Sequence, residues 1–268
     1  WCAADRKDWD RFYNAAEKFC SIYEIMGYNY ATHILQVKGE VTSDVEDKSV
    51  TVTLDCSGDA AVRYTTNGKP PTRMSAQYTE PLKITESCVL NASVFRDGVE
   101  TKVYSKKFDF HKAIGKNVTF SRKPHPKYCS GAPYCLVDAL RGPQIFKSQE
   151  WIAWNGDSVD ITIDMEDSQP YSSVTLGMIA DKPSYIFFPT RLAVSVSEDG
   201  ENYSEVATQE YGVEGKESPD CMKDFILTFP ETAARYVKVT VVPVEYIPDW
   251  HYAAGKRTYV FMDEIIVK

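Results

Sequence analysis

The stretch RLAVSVSEDG, residues 191–200, alternates apolar and polar side chains. A period of two marks a strand with one buried face. The pattern recurs on both sides, in SVDITIDM (158–165), DFILTF (224–229), YVKVTVVPV (236–244) and DEIIVK (263–268). Long polar loops rich in Trp, Tyr and Gly separate these segments, so the series predicts a large β-sandwich with function at its loop end. A second series lies nearer the start. VTVTLD (50–55), VLNASVF (89–95) and the turn pairs Asn67-Gly68 and Asp97-Gly98 predict short antiparallel strands and hairpins, enough for a small sandwich. KAIGKN (112–117) is the natural hinge between the two. The expected fold class is mainly β, with one helix in 1–38, a small sandwich over 39–112 and a larger one over 113–268.

Only the opening departs from this. DWDRFYNAAEKFCSIYEIMGYNYA (8–31) spaces Trp9, Phe12, Ala16, Phe19, Tyr23 and Met26 three and four apart, which is the stripe of an amphipathic helix. Asp5 or Asp8 can cap its start, and Gly27 suits the left-handed residue that ends it. Such a stripe calls for burial, so the helix is expected to fold onto the middle sandwich, to pair with a second copy, or to fray.

The 268 residues suffice for one large or two ordinary domains. A net charge of −8 and a pI near 5.1 argue against nucleic acid as a partner, since phosphates call for a basic face. No apolar run approaches the roughly 20 residues of a bilayer span. The first residue is Trp rather than Met, which suggests a processed or cut-down chain. Seven cysteines show no zinc spacing. Cys129 and Cys135 could close a small loop, and Cys56 and Cys88 fall on segments that could be neighbouring strands. Buried thiols explain all of them equally well. A straight helix would keep Cys2 and Cys20 apart. Nucleotide, haem and phosphate-loop signatures and Ser-His-Asp or Cys-His arrangements are absent from the sequence.

Three resemblances give these segments a context. Trp1, Asp8-Trp9-Asp10-Arg11-Phe12 and Gly27-Tyr28-Asn29-Tyr30 resemble the last helix of the (β/α)8 barrel in glycoside hydrolase family 20, the β-N-acetylhexosaminidases. VRYTTNGKPPTRMSAQYTEPLKI (62–84) resembles the immunoglobulin-like chitobiase/β-hexosaminidase C-terminal domain through Tyr64, Thr65, Asn67, Gly68, Pro71, Thr72, Ser75 and Tyr78. Asn67 replaces that family's usual Asp, and either residue tolerates positive φ. LVDALRG (136–142), VSVSEDGENY (194–203), ARYVKVTV (234–241) and VFMDEIIVK (260–268) are similar to the factor V/VIII type C (discoidin) module, a galactose-binding-like jelly roll shared with carbohydrate-binding module family 32. Ala139 stands where that family usually has Gly. The resemblance implies that 1–38 is a remnant of a catalytic barrel and that the Asp-Glu pair of family 20 chemistry lies upstream. Asp263-Glu264, on the terminal strand, is not that pair. It further implies a parent β-N-acetylhexosaminidase, no catalysis by this chain, and a bacterial periplasmic or extracellular location.

Sugar recognition needs a flat aromatic face and fixed polar groups. Trp151 and Trp154 in EWIAWNGD, Lys182 and Tyr185 in ADKPSYIFF, and Trp250, His251, Tyr252 and Lys256 in IPDWHYAAGKRTY supply both from three loops. Each also has a plain structural reading: the tryptophans could cover the open end of the sandwich, Tyr185 could be core edge, and His251 a hydrogen-bonded loop histidine. No cofactor is required. Many discoidin modules hold a structural Ca²⁺ through an early Asp and a Glu by the last strand, which the resemblance carries onto Asp138 and Glu264. The expected function is a non-catalytic accessory region that binds galactose- or N-acetylhexosamine-bearing glycans and positions an upstream barrel. The alternative is a scaffold that only buttresses the barrel or its dimer.

Overall fold

The computed structural model describes residues 8–29, 36–56, 60–95 and 102–268. Trp1, Cys2, Asp5, Tyr30 and the Asp97-Gly98 turn lie outside them, and Trp9 is described by its backbone alone. The chain forms two compact units. One takes the residues through Thr42 with Ser49–Phe108, and the other takes Ser43–Lys48 with Asp109–Lys268.

In the first unit, helix α1 (Trp9–Ile25) starts at Asp8, whose carboxylate accepts from the Arg11 N–H at 2.9 Å. It ends at Gly27, at φ +68°. The helix buries Cys20, but Phe12, Phe19, Tyr23 and Met26 remain 39–56% exposed, so the expected burial of the stripe is not met within the chain. Strands β1 (Lys38–Asp44), β2 (Ser49–Asp55), β3 (Val62–Thr65), β4 (Ala76–Gln77), β5 (Leu82–Ile84), β6 (Cys88–Val94) and β7 (Tyr104–Phe108) follow. They pair as β1-β2-β5 and β4-β3-β6-β7, the two sheets of an immunoglobulin-like sandwich. Alternation buries Val50, Val52 and Leu54 from β2, and Leu90, Ala92 and Val94 from β6. The NGK turn is held locally: Gly68 sits at φ +78° and the Lys69 N–H donates to Asn67 Oδ1 at 3.1 Å.

The second unit is built from β8 (Asn117–Phe120), β9 (Ile152–Asn155), β10 (Val159–Ile179), β11 (Arg191–Ser197), β12 (Ser204–Glu210), β13 (Met222–Val242) and β14 (Tyr259–Val267). Two of these are 21 residues long, and each bends. β10 pairs with β13 throughout, with register shifts between Asp164 and Gln169 and between Tyr171 and Ser173. Before the shifts β10 also pairs with β8, and after them with β14. Both halves feed one core, with Ile161 and Ile163 from the first and Leu176 and Met178 from the second. The continuous sheet therefore folds over itself into the galactose-binding-like sandwich. Pro230 falls in the unpaired stretch of β13 opposite the second shift, where it costs no ladder bond. Cys88, Cys129, Cys135 and Cys221 are thiols, so the loop between Cys129 and Cys135 is not closed by a disulfide.

Candidate functional site

Two of the three predicted loops meet. Asp181 opens a short 3-10 turn over Lys182–Ser184 by accepting from the Ser184 N–H, and Tyr185 closes it in the left-handed conformation at φ 68°. A β-branched or bulky residue rarely holds that φ unless its surroundings impose it. Here the Tyr259 N–H donates to the Tyr185 carbonyl at 2.8 Å and the Phe187 N–H donates to the Tyr259 carbonyl at 3.0 Å. The third loop closes on itself through Ile247 and Lys256, at 2.8 Å. His251 then ties it to the loop of Lys182 and Tyr185. Its Nδ1 accepts from the Ala253 N–H at 3.1 Å, so its proton is on Nε2 and is donated to the Lys182 carbonyl at 3.0 Å. The Tyr252 hydroxyl donates to the Pro183 carbonyl at 3.0 Å, and its ring lies 5.9 Å from that of Tyr185. Tyr252 is 78% exposed, and Tyr185 and Trp250 are half-buried beside it. Tyr246, which sequence reasoning missed, adds a half-exposed ring with the Arg257 guanidinium 5.0 Å from its centroid.

The other expected contacts turn out to be scaffolding. Lys182 is buried, and its ammonium is spent on the Ser218 carbonyl and Asp220 Oδ1, both at 2.6 Å. His251 is buried too, as the brace just described. Trp151 and Trp154 are each 1% exposed, which leaves no ring face for a sugar. Trp154 lies on strand β9 and Trp151 directly precedes it, and residues three apart on extended chain point to opposite faces. Trp154 joins the main core with Ile152, while Trp151 joins a smaller cluster with Ala153 and Phe261. Their indole N–H groups are satisfied by the carbonyls of Arg122 (3.1 Å) and Pro143 (2.9 Å).

Residues 127–255 match the F5/8 type C domain. Residues 40–105 match the chitobiase/beta-hexosaminidase C-terminal domain. The chain thus carries both domain types that its motifs resemble. No curated protein matches the sequence. Among solved structures, it is similar to chitosan-binding module 1 of a chitosanase/glucanase from Paenibacillus sp. IK-5, at 19% identity over 59% of this chain and 98% of that one, with a TM-score of 0.38. It is also similar to CpGH89CBM32-5 from Clostridium perfringens, solved with GalNAc-β-1,3-galactose, at 18% identity over 56% and 93% of the two chains, with a TM-score of 0.36.

The F5/8 type C unit also holds the pair expected to bind a metal, Asp138 and Glu264. The Asp138 carboxylate accepts from the Leu140 N–H at 2.9 Å, and Glu264 Oε1 accepts from the Ala139 N–H at 3.2 Å. His111 Nδ1 accepts from the Ala113 N–H, which puts its proton on Nε2, 2.6 Å from Glu264 Oε1. Burial, with the Lys268 charge added, pulls His111 down to about 4, so the imidazole is neutral. Burial and then the Glu264 charge push Asp138 up to about 8, and burial pushes Glu264 well above the carboxylate range. Glu264 Oε2 is buried and has no protein partner. An orphaned oxygen beside a second carboxylate is what a proton or a hard dication would satisfy, so these residues fit Ca²⁺. No cluster of three or more His, Cys, Asp or Glu forms among the described residues, so the remaining ligands would be carbonyls or water.

Proposed function

We propose that the chain is a non-catalytic accessory region that binds glycans bearing galactose or N-acetylhexosamine and holds a β-N-acetylhexosaminidase barrel against them. The observation that carries this reading is the braced, exposed ring of Tyr252 beside Tyr185 and Trp250 at the loop end. A flat apolar face of this kind suits the CH-rich side of a pyranose, and the carbonyls and hydroxyls around it can meet the sugar's own hydroxyls. The F5/8 type C match supports carbohydrate binding, and the chitobiase/beta-hexosaminidase C-terminal match supports the choice of parent. Weak affinity suffices for the task, because tethering raises the local concentration of substrate around the barrel. Bond cleavage is assigned to that barrel, and the location to the bacterial periplasm or the outside of the cell. Among the described residues no helix is long and apolar enough to cross a membrane. When bound, Ca²⁺ would supply charge neutralisation at Asp138 and Glu264.

NMR titration of the full chain with galactose and with N-acetylglucosamine tests the reading. Shifts should gather at Tyr185, Trp250 and Tyr252 and vanish in Tyr252→Ala. Flat titrations across a broad glycan panel would overturn it. One observation favours the scaffold instead: Trp151, Trp154, Lys182 and His251 are all committed to internal packing or hydrogen bonds. That alternative gains if the titrations are flat while the chain stabilises the barrel added in trans.

A further inference from the structure

The loop-end rings are continued by a second aromatic group. Tyr259, joined by its backbone to Tyr185, has its ring 5.3 Å from His125 and 6.0 Å from Tyr128, and Tyr128 lies 6.1 Å from Phe146. Tyr128, Phe146 and Tyr259 are half-buried over Phe261, so one edge of each faces solvent. The band they form is edged mainly by basic side chains. SRKPHPKYCSG (121–131) has three Lys and Arg and no acid, in a chain of net charge −8. Lys123, Lys127, Lys147 and Lys256 are exposed and make no ion pair among the described residues. The ammonium groups of Lys127, Lys147 and Lys256 stand 5.3, 5.7 and 5.7 Å from the rings of Tyr128, Phe146 and Tyr185.

Three of the acids nearby are already paired. Asp157 is held by Arg122 at 2.8 Å and Arg257 at 3.0 Å, Glu245 by Arg257 at 3.0 Å and Asp220 by Lys182 at 2.6 Å. Asp181 caps its turn, whereas Glu150, half-buried, has one carboxylate oxygen buried without a hydrogen-bond partner. Asp249, on the third loop, is exposed as well, so Lys127, Lys147 and Lys256 face two acids that make no ion pair among the described residues, Glu150 and Asp249. A surface that pairs aromatic edges with uncommitted ammonium groups offers two contacts at once: a ring for the pyranose face and a cation for an anionic substituent on it.

We propose that the F5/8 type C unit selects acidic glycans, pyranoses carrying a carboxylate or a sulfate, through this lysine-edged band. The selection rests on the glycan-binding reading above. Exposed charge pairs are each worth up to about fivefold in affinity and are screened by salt. Two contacts therefore predict a preference of roughly 2- to 25-fold at low ionic strength.

Calorimetry on the full chain with two matched pairs tests this: galactose against galacturonate, and N-acetylglucosamine against its 6-sulfate. The acidic member of at least one pair should bind tighter at low salt, and which pair responds distinguishes carboxylate from sulfate. The gap should close at about 1 M salt, where the screening length is about 3 Å. The double variant Lys127→Gln, Lys147→Gln should bring the acidic sugar down to the affinity of its neutral partner. Neutral and acidic members binding alike in the wild type would overturn the proposal and leave glycan binding standing. So would a preference that survives the double variant. Silence from all four sugars would remove both.

Discussion

Ala139 holds φ at 64° while 2% exposed, and its N–H is one of the two donors on Glu264 Oε1. The left-handed region costs a residue with a Cβ about 1–2 kcal/mol, and glycine recovers that at a smaller entropic cost. Ala139→Gly should therefore stabilise the unit by up to about 1 kcal/mol, read as a higher urea midpoint at unchanged slope. The neighbouring carboxyls set a pH dependence. Asp138, at about 8 instead of 3.8, and Glu264, also raised, keep protons in the folded chain that the unfolded chain releases, so their contribution declines as pH rises toward 8. His111, lowered to about 4, acts in the opposite sense but only below its ordinary 6.5. Between pH 6.5 and 8 the carboxyls alone count, and urea melts in calcium-free buffer should show stability falling across that window. Excess Ca²⁺ should reverse the fall, since a dication prefers the ionised pair; no effect of Ca²⁺ on the melts would remove it from this site. Aromatic residues divide by burial. Trp154→Ala should cost about 3–5 kcal/mol, whereas Tyr252→Ala should leave the midpoint unchanged and act on glycan binding alone.

Strand β10 depends on a single glycine. At Gly177 a Cβ would overlap both the Asp263 carboxylate and the Arg141 guanidinium, which pair at 2.9 Å with Asp263 fully buried. Gly177→Ala should lose about 3 kcal/mol by prising that pair apart, while Gly212→Ala, with nothing within 4 Å of its Cβ, serves as the neutral comparison in the same melts. The pairing of distant elements also explains what the sequence could and could not reveal. DITIDM and VKVTVV alternate cleanly and were legible as strands. Their continuation through Asp164–Gln169 and past Pro230 was not, because a bulge breaks the period and places polar residues where the core face would be. Strand β9 is four residues long, too short for alternation to show, so Trp154 within it and Trp151 just before it resembled loop aromatics. Lys182 and His251 were correctly placed on loops, but Ser218 and Asp220, which hold Lys182, lie some 36–38 residues away, so its commitment was invisible locally. The exposure of Tyr252 needed no distant partner to be read, since an aromatic flanked by proline and glycine in a long loop tends to the surface, whereas Tyr185 and Trp250 are half-buried against residues of other segments.

At the scale of the molecule, the second unit is not contiguous in sequence, because Ser43–Lys48 belongs to it along with Asp109–Lys268. The Ser43 hydroxyl donates to the Asp138 carbonyl at 2.7 Å, and the Val45 carbonyl lies so close to Gly115 that no Cβ would fit there. Gly115 itself sits at φ +71°, so both the close approach and the backbone conformation demand glycine. A fragment of residues 109–268 keeps every strand from β8 to β14 and the core they share, and should fold. It loses the Ser43 bond, worth about 1 kcal/mol, and the cover over Gly115. For a unit of this size each kcal/mol moves the melting temperature by about 2–4 °C. The isolated fragment should therefore melt a few degrees below the same transition in the full chain, and Ser43→Ala in the full chain should recover part of that difference. Calorimetric traces that coincide for fragment and full chain would show that the 43–48 segment adds nothing to the stability of the unit it joins.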